Sequence, residues 1–213
     1  PGVYIRSMAT QGAQGGLSSS VGQVVRLLDA AGMDMVLVES VGVGQTELDI
    51  TTVADTTVVV LVPEAGDTVQ TLKAGLSEIA DIFVVNKADR EGAHAQVVAL
   101  KSMVGMGKQD TGWHVPVIST EANRGKGIGE LYAAVQDHRR FLESSSALEA
   151  RRRARRRREF LLSIEEGLRR HLSDLLQAEG ILADLAGAVE RGELDPATAA
   201  QDALKDKALP KAL

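Results

Sequence analysis

Four short runs, MDMVLVES (33–40), TTVVVLVP (56–63), DIFVVNKAD (81–89) and HVPVIST (114–120), constrain what this chain can fold into more than anything else in it. Each is apolar continuously rather than at alternate positions, the pattern of a strand covered on both faces. A fifth candidate, VYIRSM (3–8), stands near the start, followed by the glycine-rich TQGAQGGLSSS. Stretches with helical spacing separate the runs: Val21, Val24, Val25 and Leu28 share one face, with Ser18 to Ser20 as N-caps and Gly32 as terminator, and further helices are predicted over 67–80, 93–106 and from Ile128 onward. Strand, helix, strand in repetition predicts an α/β fold with right-handed crossovers and a parallel sheet. Ligands of such sheets bind beyond the carboxyl ends of the strands. The informative residues therefore lie where the runs stop, in ESVGVGQ, PEAGD, NKAD and STEA, all polar or glycine-bearing.

Beyond Tyr132 the pattern turns to long helices. Phe160, Ile164, Leu168, Leu172 and Leu175 repeat at helical spacing, and Asp195–Pro196 reads as the N-cap and first position of a last helix. A boundary near Glu143 divides the 213 residues into an α/β part, 1–142, and a helical extension, 143–213. The extension is too thin for an independent core, so its apolar stripe predicts a homodimer interface.

Several classes fall away on composition. Cysteine is absent, which removes disulfides, zinc–thiolate sites and cysteine nucleophiles and fits a reducing cytoplasm. The net charge of −5 supplies no global basic field for nucleic acid or an anionic membrane, and no run approaches the ~20 apolar residues of a membrane span. The arginine run RRRARRRR, Arg151 to Arg158, has no aromatic within it to stack a base and is flanked by glutamates able to pair at i,i+4. It reads as a solvated or interface helix face, with RNA or an acidic partner as the alternative. His171 reads as packing, His94, His114 and His138 lack metal-ligand spacing, and Trp113 reads as a surface or edge anchor.

NKAD is the sharpest chemical signal. Asp89 can accept both the N1–H and the exocyclic amine of guanine, a donor pair adenine lacks, while the Lys87 stem covers the base face and Asn86 ties neighbouring loops. A plain polar turn after a strand is the alternative. Ser119 and Thr120, with Glu121, end the next run, where backbone amides can meet guanine O6; a turn capping the following helix explains them as well. In ESVG the Glu39 carboxylate can hold a water of an Mg²⁺ shell, the Gly42 amide can approach a terminal phosphate, and Gly44 with Gln45 can form a loop that senses it. A glutamate capping a glycine turn is the competing explanation.

Together, VLVESVGVGQTE, VVVLVPEAGDTVQTLKAGLSEIADIFVVNKAD and the arginine-rich helix resemble the metallochaperone-type P-loop GTPases, over Pro1 to at least Leu176. The similarity is to the branch of chaperones for adenosylcobalamin-dependent methylmalonyl-CoA mutase, the MeaB/ArgK type, formerly labelled arginine/ornithine (LAO/AO) transport ATPases. The resemblance implies a GTP-binding, GTP-hydrolysing homodimer that uses GTP/GDP and Mg²⁺ and acts on such a mutase. Glu39 would serve Mg²⁺ through water, and 42–47, with Gly42 and Gln45, would form the second switch. PEAGDTVQTLK would form a further switch with Asp67 and Lys73 as charged contacts, and Asn86, Lys87 and Asp89 would read guanine with Ser119 and Thr120. The phosphate-loop pattern G-x-x-x-x-G-K-[ST] is absent, since GMGKQD and NRGKGIG both lack the hydroxyl after lysine. In the family this loop precedes the region where the chain starts. The resemblance therefore implies a portion of a longer GTPase, inactive by itself. Two other readings stand beside it: a helical partner-binding module without nucleotide chemistry, and an ATPase or kinase component of amino-acid transport.

Overall fold

A computed structural model describes residues 2–8, 21–40, 47–63, 79–106, 112–178 and 180–205. Its described elements are α1 (Val21–Ala30), a 3₁₀ turn (Glu47–Thr52), β1 (Val58–Leu61), β2 (Ile82–Asn86), α2 (Ala93–Met106), β3 (Val117–Thr120), a second 3₁₀ turn (Ala122–Arg124), α3 (Ile128–Ser144), α4 (Ala147–Gln177), α5 (Ile181–Glu190) and α6 (Pro196–Lys205). The strands form a parallel sheet in the order β1-β2-β3, with Val58 beside Ile82 and Phe83 beside Val117. The chain divides into two compact units, residues 1–155 and 156–213.

The central strand explains the first unit. Ile82, Phe83, Val84 and Val85 are all buried, as a continuous apolar run requires. Because strand side chains alternate, the two faces serve different layers. Phe83 and Val85 join Ala80, Ala93 and Leu100 on the α2 side, whereas Ile82 and Val84 join Ile118 and the α3 residues Leu131, Ala134 and Val135. Burying four such side chains contributes on the order of 2 kcal/mol each.

The helix starts and stops follow the sequence closely. The covered residues of α1 include Val21, Val24, Val25 and Leu28, and Gly32 ends it with φ 82°, where the Met33 N–H donates to the Leu28 carbonyl at 3.1 Å. The predicted helix over 93–106 is α2, and α3 starts at Ile128. Asp195 caps α6, its Oδ2 accepting from the Thr198 N–H at 3.0 Å and the Thr198 hydroxyl at 3.1 Å. The Ser18 to Ser20 caps and nearly all of the helix expected over 67–80 lie outside the described residues.

Two expected strands are not strands. Residues 3–8 and 33–40 contain neither helix nor strand, and Val3, Ile5 and Leu37 are exposed at 86%, 88% and 87%. An apolar run becomes a strand only with a neighbour to complete its ladder, and neither run has one among the described residues.

The arginine run also departs from expectation. Arg151, Arg152 and Arg155 converge on two aspartates far back in the chain, while Arg153, Arg156, Arg157 and Arg158 stay on the exposed face. Asp55 accepts from Arg152 Nη2 at 2.8 Å and Arg155 Nη2 at 2.7 Å, and Asp81 from Arg151 Nη2 at 3.0 Å. Asp81 Oδ2 also accepts the Thr57 N–H at 2.8 Å, and its carbonyl accepts Trp113 Nε1 at 2.8 Å. His138, wholly buried, shares a hydrogen bond with Thr56 Oγ1 at 2.9 Å, and its Nε2 lies 3.3 Å from Asp81 Oδ1 outside good hydrogen-bond geometry. Trp113 leans on His138 and Phe141 with ring centroids 4.8 Å and 5.4 Å away. One carboxylate just ahead of β2 thus fastens α3, the start of α4 and the entrance of β1.

Burial raises the Asp81 carboxyl, but contacts from His138, Arg151 and the Thr57 N–H outweigh it and leave it below the ordinary value of 3.8. Asp55 is likewise held low: its burial is outweighed by hydrogen bonds from Arg152 and Arg155.

In the second unit, α5 and α6 pack as a hairpin with Ala199 and Ala203 buried. On α4, Phe160, Ile164 and Leu168 are exposed at 64%, 42% and 37%.

Asp81→Ala strands the His138 and Arg151 polar groups and should cost about 2 kcal/mol or more, discounted because Arg151 is partly solvated. Both aspartates are depressed in the folded state, so the unfolded chain binds more protons at acid pH. Their stabilisation is complete above the ordinary carboxylate value and is lost as pH falls through the depressed folded values. Thermal melts from about pH 6 downward should show a falling midpoint, less steep in Asp81→Asn, where the Asp81 contribution is gone. Equal steepness in both proteins would contradict this assignment.

Candidate functional site

The carboxyl ends of β2 and β3 lie side by side, with Asn86 beside Thr120 in register. Asn86, last in β2 and half-buried, turns its Oδ1 across the gap between the strands. That oxygen accepts from Thr120 Oγ1 at 3.1 Å and from the Ala122 N–H at 3.2 Å. The Ala88 N–H returns a bond to the Thr120 carbonyl at 3.0 Å. Three hydrogen bonds therefore hold the loop after β2 against the loop after β3.

The chain leaves β2 through Lys87, whose φ of 57° is in the left-handed region. A lysine there is uncommon and costs of order 1 kcal/mol, held by surrounding structure, as is frequent at functional sites. After this turn Asp89 stands with its side chain 38% exposed, an acceptor open to a ligand. Thr120 is buried by its bond to Asn86, and Ser119 is exposed.

The β3 loop is tightly built. The Glu121 N–H bonds the Lys126 carbonyl at 3.1 Å, and Gly127 closes the turn into α3. Glycine is required at 127 because φ is 74° and a Cβ would stand 2.2 Å from the Ser119 carbonyl oxygen. Glu121 is engaged by Arg124 and Lys126, both at 2.9 Å.

Asn86, Lys87, Asp89, Ser119, Thr120 and Glu121 are thus brought to one end of the sheet. What they offer a guanine edge is a solvent-facing carboxylate, Asp89, able to accept from the N1–H and the exocyclic amine. Glu39 is exposed in a segment without helix or strand and makes no hydrogen bond or ion pair among the described residues. Gly42, Gln45, Asp67 and Lys73 lie outside the described residues. Among the described residues no three of His, Asp and Glu gather as a metal site. No described helix is long and apolar enough to cross a membrane.

Sequence reasoning missed Ala122, whose contribution is a backbone N–H, and Arg124. It also passed over Asp55 and Asp81, whose partners are some 70 to 100 residues away in the chain. Nothing local marks such pairings.

The family described as "Methylmalonyl Co-A mutase-associated GTPase MeaB" matches residues 1–176. A Pyrococcus abyssi protein named "Putative GTPase" is 44% identical over 97% of this chain and 64% of its own length. "GTPase ArgK" of Escherichia coli is 32% identical over 68% of this chain and 45% of its own. The mouse protein "Methylmalonic aciduria type A homolog, mitochondrial" is 28% identical over 95% of this chain and 50% of its own. A crystal structure titled "LAO/AO transport system kinase" superposes with a TM-score of 0.66 at 26% identity, covering 87% of this chain and 61% of that one. The chain thus spans less than two thirds of the length of these relatives. It belongs to the MeaB family of methylmalonyl-CoA mutase-associated GTPases.

Proposed function

We propose that this chain is the base-reading and partner-coupling portion of a GTP-binding, GTP-hydrolysing chaperone that acts on an adenosylcobalamin-dependent mutase of the methylmalonyl-CoA type. The observation that carries the nucleotide reading is the Asn86 fork, which joins two strand-end loops and leaves Asp89 open beside them. A carboxylate in that place selects guanine, because adenine offers no N1–H and no 2-amino group. The mutase assignment is supported by the family name and by the mouse relative's name. In the complete protein, Glu39, Gly42 and Gln45 would face Mg²⁺ and the terminal phosphate, and Asp67 and Lys73 would report nucleotide state to the mutase. The cysteine-free sequence suits a cytoplasmic setting.

The base site is tested in the complete protein, where phosphate contacts supply enough affinity to measure. Asp89→Asn places a donor against a donor and should weaken GDP binding at least tenfold, about 1.4 kcal/mol, while improving xanthosine diphosphate, whose carbonyl replaces the amine. Unchanged GDP affinity would reduce NKAD to a polar strand end.

The helical extension supports a homodimer. The exposed Phe160, Ile164 and Leu168 continue toward the half-covered Leu172 and Leu175, an apolar stripe of the kind that marks an interface. Light scattering should give twice the chain mass, and Leu168→Glu should give a monomer. A monomeric wild type would contradict this interface.

A further inference from the structure

The turn after β3 carries a charged arrangement that direct contact with guanine leaves without a role. Glu121 is held from both sides: Oε2 accepts from Arg124 Nη1 and Oε1 from Lys126 Nζ, each at 2.9 Å. Its side chain is only 15% exposed, and the hydrogen bonds from Lys126 and then Arg124 draw its carboxyl below the ordinary range. The backbone bond to Lys126 and the obligatory glycine at 127 make the turn a formed wall. Arg124 also reaches across to the other loop, its Nη1 standing 3.8 Å from Asp89 Oδ2. That separation is too long for a hydrogen bond and just within the reach of an ion pair. The Asp89 lone pairs stay open to a ligand's donors while a fixed cation biases where the carboxylate turns.

We propose that Arg124 is a positioning residue for purine selectivity: anchored on Glu121, it holds the Asp89 carboxylate in the orientation that meets two donors of guanine at once. The inference rests on the base-site reading above and adds to it a residue that touches no part of the base-reading motif in sequence. A carboxylate oriented before binding gives up less rotational freedom when the base arrives. The benefit is greatest for a ligand engaging both oxygens. Inosine diphosphate, which lacks the 2-amino group, engages Asp89 through one donor and gains less.

The test uses the complete protein and titrations with GDP, inosine diphosphate and ADP. Arg124→Gln should weaken GDP about threefold, within the range of a half-exposed ion pair, and inosine diphosphate less, so that the ratio of the two affinities falls. Arg124→Lys, able to span the same two carboxylates, should restore most of the ratio. Glu121→Gln, which loosens the anchor, should shift it in the same direction by less. In the Asp89→Asn background, Arg124→Gln should change nothing further, because the group it orients is gone. The proposal is overturned by unchanged or tighter GDP binding in Arg124→Gln, by an equal loss for all three nucleotides, or by a loss that persists in the Asp89→Asn background. If Asp89→Asn weakens GDP but Arg124→Gln does not, only this inference fails; if Asp89→Asn itself leaves GDP binding unchanged, the base site fails and Arg124's role with it.

Discussion

The two-faced burial of β2 is the constraint from which the rest of the first unit follows. A strand with Phe83 and Val85 on one side and Ile82 and Val84 on the other needs a helical layer on each face, and α2 and α3 supply them. Polar groups cannot enter such a strand without losing their hydration, so they collect at its two ends. Asp81 stands before the entrance, where it gathers Arg151, His138 and the Thr57 N–H. Asn86 stands at the exit, where it gathers Thr120 and Ala122. The same apolar stretch thereby separates a structural polar cluster from a chemical one.

This separation gives the arginine run a physical meaning. Three of its seven guanidiniums neutralise two partly buried aspartates, a use that fixes the start of α4. Arginine suits the task because its planar fork reaches two acceptors at once: Arg151 touches both oxygens of Asp81. At the opposite end of the strand the charge logic is reversed. Asp89 keeps its acceptors open, and the Arg124 guanidinium stands 3.8 Å away without hydrogen-bonding it.

Much of this was legible in the sequence because it depends on local rules. The continuous apolar pattern of 82–85 identified a strand buried on both faces, Gly32 and Asp195 marked a helix end and start, and NKAD sat where a parallel sheet presents ligand-binding loops. Two runs with an equally strong pattern, 3–8 and 33–40, have no ladder partner among the described residues, because ladder formation depends on a neighbour that no single segment encodes. The pairing of Arg151 and Arg152 with aspartates was hidden for a related reason: glutamates at helical spacing offered nearer partners, but the sheet brought Asp55 and Asp81 closer in space. Arg124 escaped notice because its reach toward Asp89 exists only once the Glu121 to Lys126 turn has closed.

The central claim is that the ends of β2 and β3 form a guanine site. A crystal structure of the complete protein with GDP tests it most directly. The guanine edge is expected at the Asp89 carboxylate within hydrogen-bond distance, with the Asn86 bonds to Thr120 and Ala122 intact. A purine bound away from these two strand ends, with Asp89 still facing solvent, would contradict it.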